Sequence, residues 1–201
     1  MKMRSVASLS VLAFSLVSLL STREAAAQEP DGVRFRGGVA LEAGPMIIPG
    51  VGTLGLAGIQ SQLGVQINNN FGVYAVPNLD IVFGSVGGIN LAAAIMCDYT
   101  LNDSLTFGAG PDVGVFAAFG GGSGSISAAG GALYGARLHF AWNPIVDRGA
   151  TSVRRRALSV GADIRLLGGG AGVASSNGES SSASASTFVV APMITVGYTA
   201  F

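Results

Sequence analysis

Arg137 and His139 stand two residues apart in a chain where only 11% of residues are charged and no other histidine occurs. On a β-strand that spacing puts both side chains on one face. A histidine is half of a hydrolase or acyltransferase site, but the other half is a nucleophile held against it. No motif in the chain supplies one, so His139 reads as a satisfied interior histidine and the chain as a non-enzyme. The lone Cys97, one His and scattered carboxylates show no metal-ligand spacing. Gly120-Gly121-Gly122 and Gly168-Gly169-Gly170 lack the Lys-Ser/Thr that completes a phosphate loop, so they read as flexible loop tips and no cofactor or metal is expected.

What these charges can do is pair. Residues 58–68 alternate cleanly: Ile59, Ser61, Leu63, Val65 and Ile67 point one way, and Gln60, Gln62, Gly64, Gln66 and Asn68 the other. That is strand periodicity. Residues 33–44 and 89–99 repeat it, and 71–83, 105–119, 131–142, 157–167 and 187–201 parse similarly, giving eight strands. Asn68-Asn69-Asn70 and Asn102-Asp103-Ser104 read as short turns, whereas 45–53, 84–88, 120–127 and 168–186 read as longer connections. Alternating short and long connections point to an all-β, antiparallel up-and-down transmembrane barrel. Ten strands result if 143–156 or 168–186 hides a further pair.

In this parse Arg34, Arg36, Glu42, Gln60, Gln62, Gln66, Asp80, Asn90, Asp98, Asp112, Arg137, His139, Asp163 and Arg165 face inward. Charges in so narrow an interior must be compensated. Counted from the short turns, Arg137 sits at the depth of Asp112 and Asp163 on its two neighbouring strands, which predicts an Asp112, Arg137, Asp163 cluster. The cluster serves either as a salt-bridged plug or as a selectivity element in a pore. Inward glycines such as Gly38, Gly64, Gly72, Gly108, Gly110, Gly114, Gly135 and Gly161 leave volume for water in the second case.

On the apolar face, Phe71 and Phe83 lie twelve residues apart, as do Phe107 and Phe119. At about 3.3 Å per residue and a tilt near 40°, that separation rises roughly 30 Å, close to the apolar band of about 25 Å between two aromatic girdles. Tyr99 and Trp142 fall at the edge of Phe71 and Phe107.

Residues 1–27 carry the marks of a cleaved secretory signal: Lys2 and Arg4, an apolar run, then Ala25-Ala26-Ala27. The expected mature domain, 28–201, has 174 residues, 8 basic and 10 acidic, and no lysine. A balance near −2 gives no sign of nucleic-acid binding. The chain ends on Phe201, after Thr195-Val196-Gly197 and Tyr198. With these features it resembles the small eight-stranded outer-membrane β-barrels of the OmpA/OmpX type over residues 33–201. The resemblance implies residence in the bacterial outer membrane, contact with its lipid, and a Phe201 tail read by the barrel-assembly machinery. Tyr198 is three positions before Phe201, on the opposite face of a regular strand, and a bulge near Pro192 would reconcile them.

The expected role is structural or surface-interaction, through outer loops that meet an unnamed surface ligand. A passive narrow pore for water, ions or very small solutes, and a secreted soluble ligand-binding barrel, are the alternatives. Gly, Ala and Ser dominate 168–186, which predicts a mobile, solvated loop for either a spacer or a contact surface. In 143–156, Arg148 and Arg154-Arg155-Arg156 form a basic run that is either solvated or laid on lipid head groups.

Overall fold

The computed structural model describes residues 32–50, 52–102, 104–122, 125–148, 155–175 and 185–200. Among them run eight strands: β1 (Arg34–Ile48), β2 (Gly52–Gln66), β3 (Phe71–Phe83), β4 (Gly87–Leu101), β5 (Leu105–Gly122), β6 (Ser125–Arg148), β7 (Arg155–Ser175) and β8 (Ala185–Ala200). Each pairs antiparallel with the next and β1 pairs with β8, so the sheet closes into an up-and-down barrel. The starts of β1, β3, β5 and β7 mark a terminal end, and the β1–β2, β3–β4, β5–β6 and β7–β8 connections mark the far end.

All eight expected strands are present, and the differences lie at their ends. The sequence suggested a long 45–53 connection, but Met46 and Ile48 continue the inward phase and Ile48 is the register partner of Gly52. Of the 143–156 and 168–186 stretches, residues 143–148 and 155–156 extend β6 and β7, and residues 168–175 and 185–186 extend β7 and β8. Both glycine triplets lie in strands as well, not at loop tips. Glycine's poor strand propensity is overridden by ladder pairing on both sides, as at Gly168, between Tyr134 and Phe188. Residues 1–27, 149–154, 176–184 and Phe201 lie outside the described residues, and with them the expected signal segment, Arg154, the middle of the Ser-rich loop and the terminal aromatic.

The tight turns follow from their asparagines. Asn68 Oδ1 accepts the backbone N–H groups of Asn70 at 2.9 Å and Phe71 at 2.8 Å, an Asx turn that reverses the chain between β2 and β3. Asn102 takes a left-handed φ of 51° between β4 and β5, a conformation asparagine tolerates better than most residues.

The inward glycines are not spare volume. A β-carbon at Gly135 would strike the Leu166 carbonyl, and one at Gly110 the Ile95 carbonyl, because neighbouring strands pass too closely there. Gly135→Ala is therefore expected to cost about 1–3 kcal/mol through overpacking. Gly87→Ala, where a β-carbon meets nothing within 4 Å, should be near neutral. Denaturant unfolding of the two variants checks the contrast.

Four ladders are interrupted, each beside a proline, the fourth being β6–β7 at Pro144. The β2–β3 register skips from Gln60↔Asn78 to Leu63↔Ala75 around Pro77, and β4–β5 from Ala94↔Asp112 to Cys97↔Ala109 around Pro111. The β1–β8 register skips from Ala43↔Ile194 to Ile47↔Val190, where Pro45 and Pro192 fall opposite one another. Proline has no N–H to give a ladder. The bulge expected near Pro192 is absent, since β7–β8 and β1–β8 each keep one register throughout. The register shift lies instead between Trp142 and Ile145, on β6 against β7.

Candidate functional site: the barrel interior

Strand alternation decides what the interior contains. Every inward polar residue expected from the sequence faces inward, and all are buried except His139, which is half-buried. They form layers along the axis. At the terminal end the Thr100 and Thr106 hydroxyls lie 3.2 Å apart and Arg34 donates to Asn69 Oδ1 at 2.8 Å. Above them Arg36 NH1 meets Asp98 Oδ2 at 2.6 Å and donates to Gln66 Oε1 at 3.2 Å. Its guanidinium also lies over the Tyr74 ring, 4.1 Å from the centroid.

The central layer holds two guanidinium groups. Arg137, only 1% exposed, reaches across the lumen to Glu42 Oε2 at 3.0 Å, and also donates to Gln60 Oε1 and Asp163 Oδ2. From β6 it ties together β1, β2 and β7. Arg165 donates through Nε to Asp112 Oδ2 at 2.7 Å and through NH1 to Asp80 Oδ2 at 3.2 Å. Asn78 and Asn90 donate to the same Asp80 oxygen at 2.9 and 2.8 Å. His139 Nδ1 lies 2.5 Å from Asp163 Oδ1.

The expected Asp112, Arg137, Asp163 cluster is thus half present. Asp163 is Arg137's partner, whereas Asp112 is bound by Arg165, and Glu42 takes the second place on Arg137. Depth along neighbouring strands could not predict this, because a guanidinium on its long stem spans the lumen as easily as it reaches the next strand. The Glu42–Arg137 pair joins residues 95 positions apart on strands that are not neighbours in the sheet.

Sequence reasoning missed the far third of the lumen, which is apolar. Met46, Leu56, Val82, Leu133, Leu167, Val189, Ala191 and Met193 pack into one buried cluster, with Ile48, Leu54 and Phe116 against it. The signal was available: alternation fades where both faces of a strand are apolar, as at Met46-Ile47-Ile48 and Val189-Val190-Ala191. A smaller apolar group of Tyr74, Val76, Ala94 and Met96 lines β3 and β4.

The outer wall has the opposite character. Among the described side chains of the strands, Arg156 at the terminal end is the one charged group that faces outward. Phe71, Tyr99 and Phe107 are successive register partners, and Phe107 packs against Phe140 with the rings tilted and their centroids 5.2 Å apart, so one aromatic row crosses β3 to β6 near the terminal end. Trp142 is exposed on the same edge beside Leu105. Toward the far end Phe83 and Phe119 are also exposed, and Gly87 between their strands is the register partner of Phe119.

Fold and lining together define a closed eight-stranded up-and-down barrel of inverted polarity, charged within and apolar without. In comparisons with known proteins, no family model and no curated protein matches the chain.

Proposed function

We propose that this chain is an integral β-barrel of the bacterial outer membrane, with a structural or surface-interaction role carried by its far-end connections. The observation that carries the reading is the outer wall. Leu41 and Ile194 are 65% and 66% exposed, and similar side chains cover every strand. Each large apolar side chain left in water forgoes about 1.5–3 kcal/mol, which a hydrocarbon surround restores. A soluble ligand-binding barrel needs the reverse arrangement. The two aromatic levels suit the two interfaces of a bilayer. The resemblance to small outer-membrane barrels, and not connection length, sets the terminal end on the periplasmic side, since the far-end connections 49–51 and 84–86 are no longer than the terminal-end turns 67–70 and 102–104.

The contents of the lumen favour this role over a passive pore. Ion pairs fill its middle and an apolar cluster fills its far third, as expected for a barrel of eight strands. Lipid is the principal partner, and the barrel-assembly machinery is the partner during biogenesis.

Cys97 provides the test. It is the chain's single cysteine, it is exposed, and it faces outward on β4 between Ile95 and Tyr99. A fluorophore attached there should be strongly quenched in vesicles of bromine-labelled lipid and shielded from an aqueous quencher. Ready quenching by the aqueous agent, together with release of the native protein from membranes by carbonate, would overturn the membrane assignment.

A further inference from the structure

Residues 28–201 contain eight basic side chains, and they fall into two groups. Arg34, Arg36, Arg137 and Arg165 are buried inside the barrel, and the other four are Arg148, Arg154, Arg155 and Arg156. Positive charge outside the lumen is thus confined to the β6–β7 hairpin. Arg148, which ends β6, is the register partner of Arg155, which opens β7, and Asp147 is the partner of Arg156. These two rungs carry three arginines against one aspartate. Like charges directly opposite one another on a ladder repel, and the rungs contain nothing that answers the surplus.

The hairpin also projects past the strand beside it. β5 begins at Leu105, opposite Trp142, and the Asn143 N–H then donates to the Ser104 carbonyl at 2.7 Å. From Ile145 to Arg148, β6 is paired with β7 alone among the described residues. Arg156 faces outward and is exposed, and no hydrogen bond or ion pair holds its guanidinium among the described residues.

Its level is set by aromatic neighbours. On the same face of β7, Leu158 is the register partner of Tyr198 and Val160 that of Trp142, and both rings are exposed. Arg156 stands two residues beyond the Tyr198 rung, about 5 Å further from the barrel's middle at 3.3 Å per residue and a tilt near 40°. The headgroup layer outside the hydrocarbon is about 5–7 Å deep on each side of a bilayer.

We propose that the base of the β6–β7 hairpin binds the phosphodiester of an anionic phospholipid, with Arg156 meeting it from the outer wall. The proposal rests on the membrane reading above. A guanidinium presents a planar fork of donors that matches phosphate oxygens. A zwitterionic headgroup brings a cation of its own against the surplus arginines, so the anionic lipid is selected. A bound anion also offsets the repulsion across the Arg148–Arg155 rung.

Trp142, the chain's single tryptophan, is exposed two rungs from the arginines' end of β7 and reports the lipid beside it. The folded protein is placed in phosphatidylcholine vesicles holding a minor share of phosphatidylglycerol, with brominated acyl chains on one lipid or on the other. Quenching of Trp142 should show phosphatidylglycerol about fivefold richer beside it than in the bulk, the worth of one arginine at a charged membrane surface. The triple variant Arg148→Gln, Arg155→Gln, Arg156→Gln leaves the lumen's ion pairs intact, so it should fold and lose the enrichment. Quenching in proportion to bulk composition in the parent would overturn the proposal and leave the membrane reading standing, as would enrichment that persists in the triple variant. Quenching by neither brominated lipid would overturn both.

Discussion

Arg137→Met is expected to destabilise the folded barrel by about 3–5 kcal/mol, the range for removing one partner from a buried ion pair. The guanidinium is almost wholly buried and satisfies Glu42, Gln60 and Asp163 at once. Methionine keeps much of the volume but leaves two carboxylates without their cation. Adding Glu42→Gln and Asp163→Asn to Arg137→Met should recover most of the loss, because neutral groups of similar shape remove the orphaned charges. Urea unfolding of the folded protein in vesicles measures both. A loss below about 1 kcal/mol for the single variant would show that the cross-lumen pair is not a stabilising brace.

Ile95→Arg should have the next largest effect. Ile95 is outward and exposed near the middle of β4, flanked by Ala75 across the β3 ladder and by the interrupted ladder at Pro111. An arginine on the lipid face at the bilayer midplane costs about 2–4 kcal/mol, falling to about 0–1 kcal/mol near the interface. Leu101→Arg, at the terminal end of the same strand, should therefore be mild. Folding free energies into phospholipid bilayers test the gradient. If the two substitutions cost the same, or Ile95→Arg improves solubility without loss of stability, the outer wall does not face hydrocarbon.

The fold was legible because a barrel has a two-residue code read by two different environments. Gln60, Gln62 and Gln66 against Ile59, Leu63 and Val65 fix which side of β2 is inside, and the same contrast recurs on β1 and β4. Strand ends were less legible. Beyond Pro45 the inward residues become Met46 and Ile48, so the contrast between faces vanishes while the ladder continues. Gly120–Gly122 and Gly168–Gly170 carry no contrast at all, and only pairing with neighbours makes them strand. The inward identity of Arg137, Asp112, Asp163 and Arg165 was readable, but not their partners. Partner choice is set by side-chain reach across a closed lumen, which phase and depth do not encode.

The interrupted ladders have a mechanical consequence. The β3–β4 hairpin is stitched continuously along its own shared ladder but joins β2 and β5 through broken ones, and the closing β1–β8 join is broken as well. Sheets resist stretching along their hydrogen bonds, so compliance collects where those bonds are missing. The wall is therefore not uniform. It is built of stiff panels, β1–β2, β3–β4, β5–β6 and β7–β8, meeting at four softer joints, and changes in girth under lateral pressure will be taken up at Pro77, Pro111, Pro144 and the Pro45–Pro192 junction.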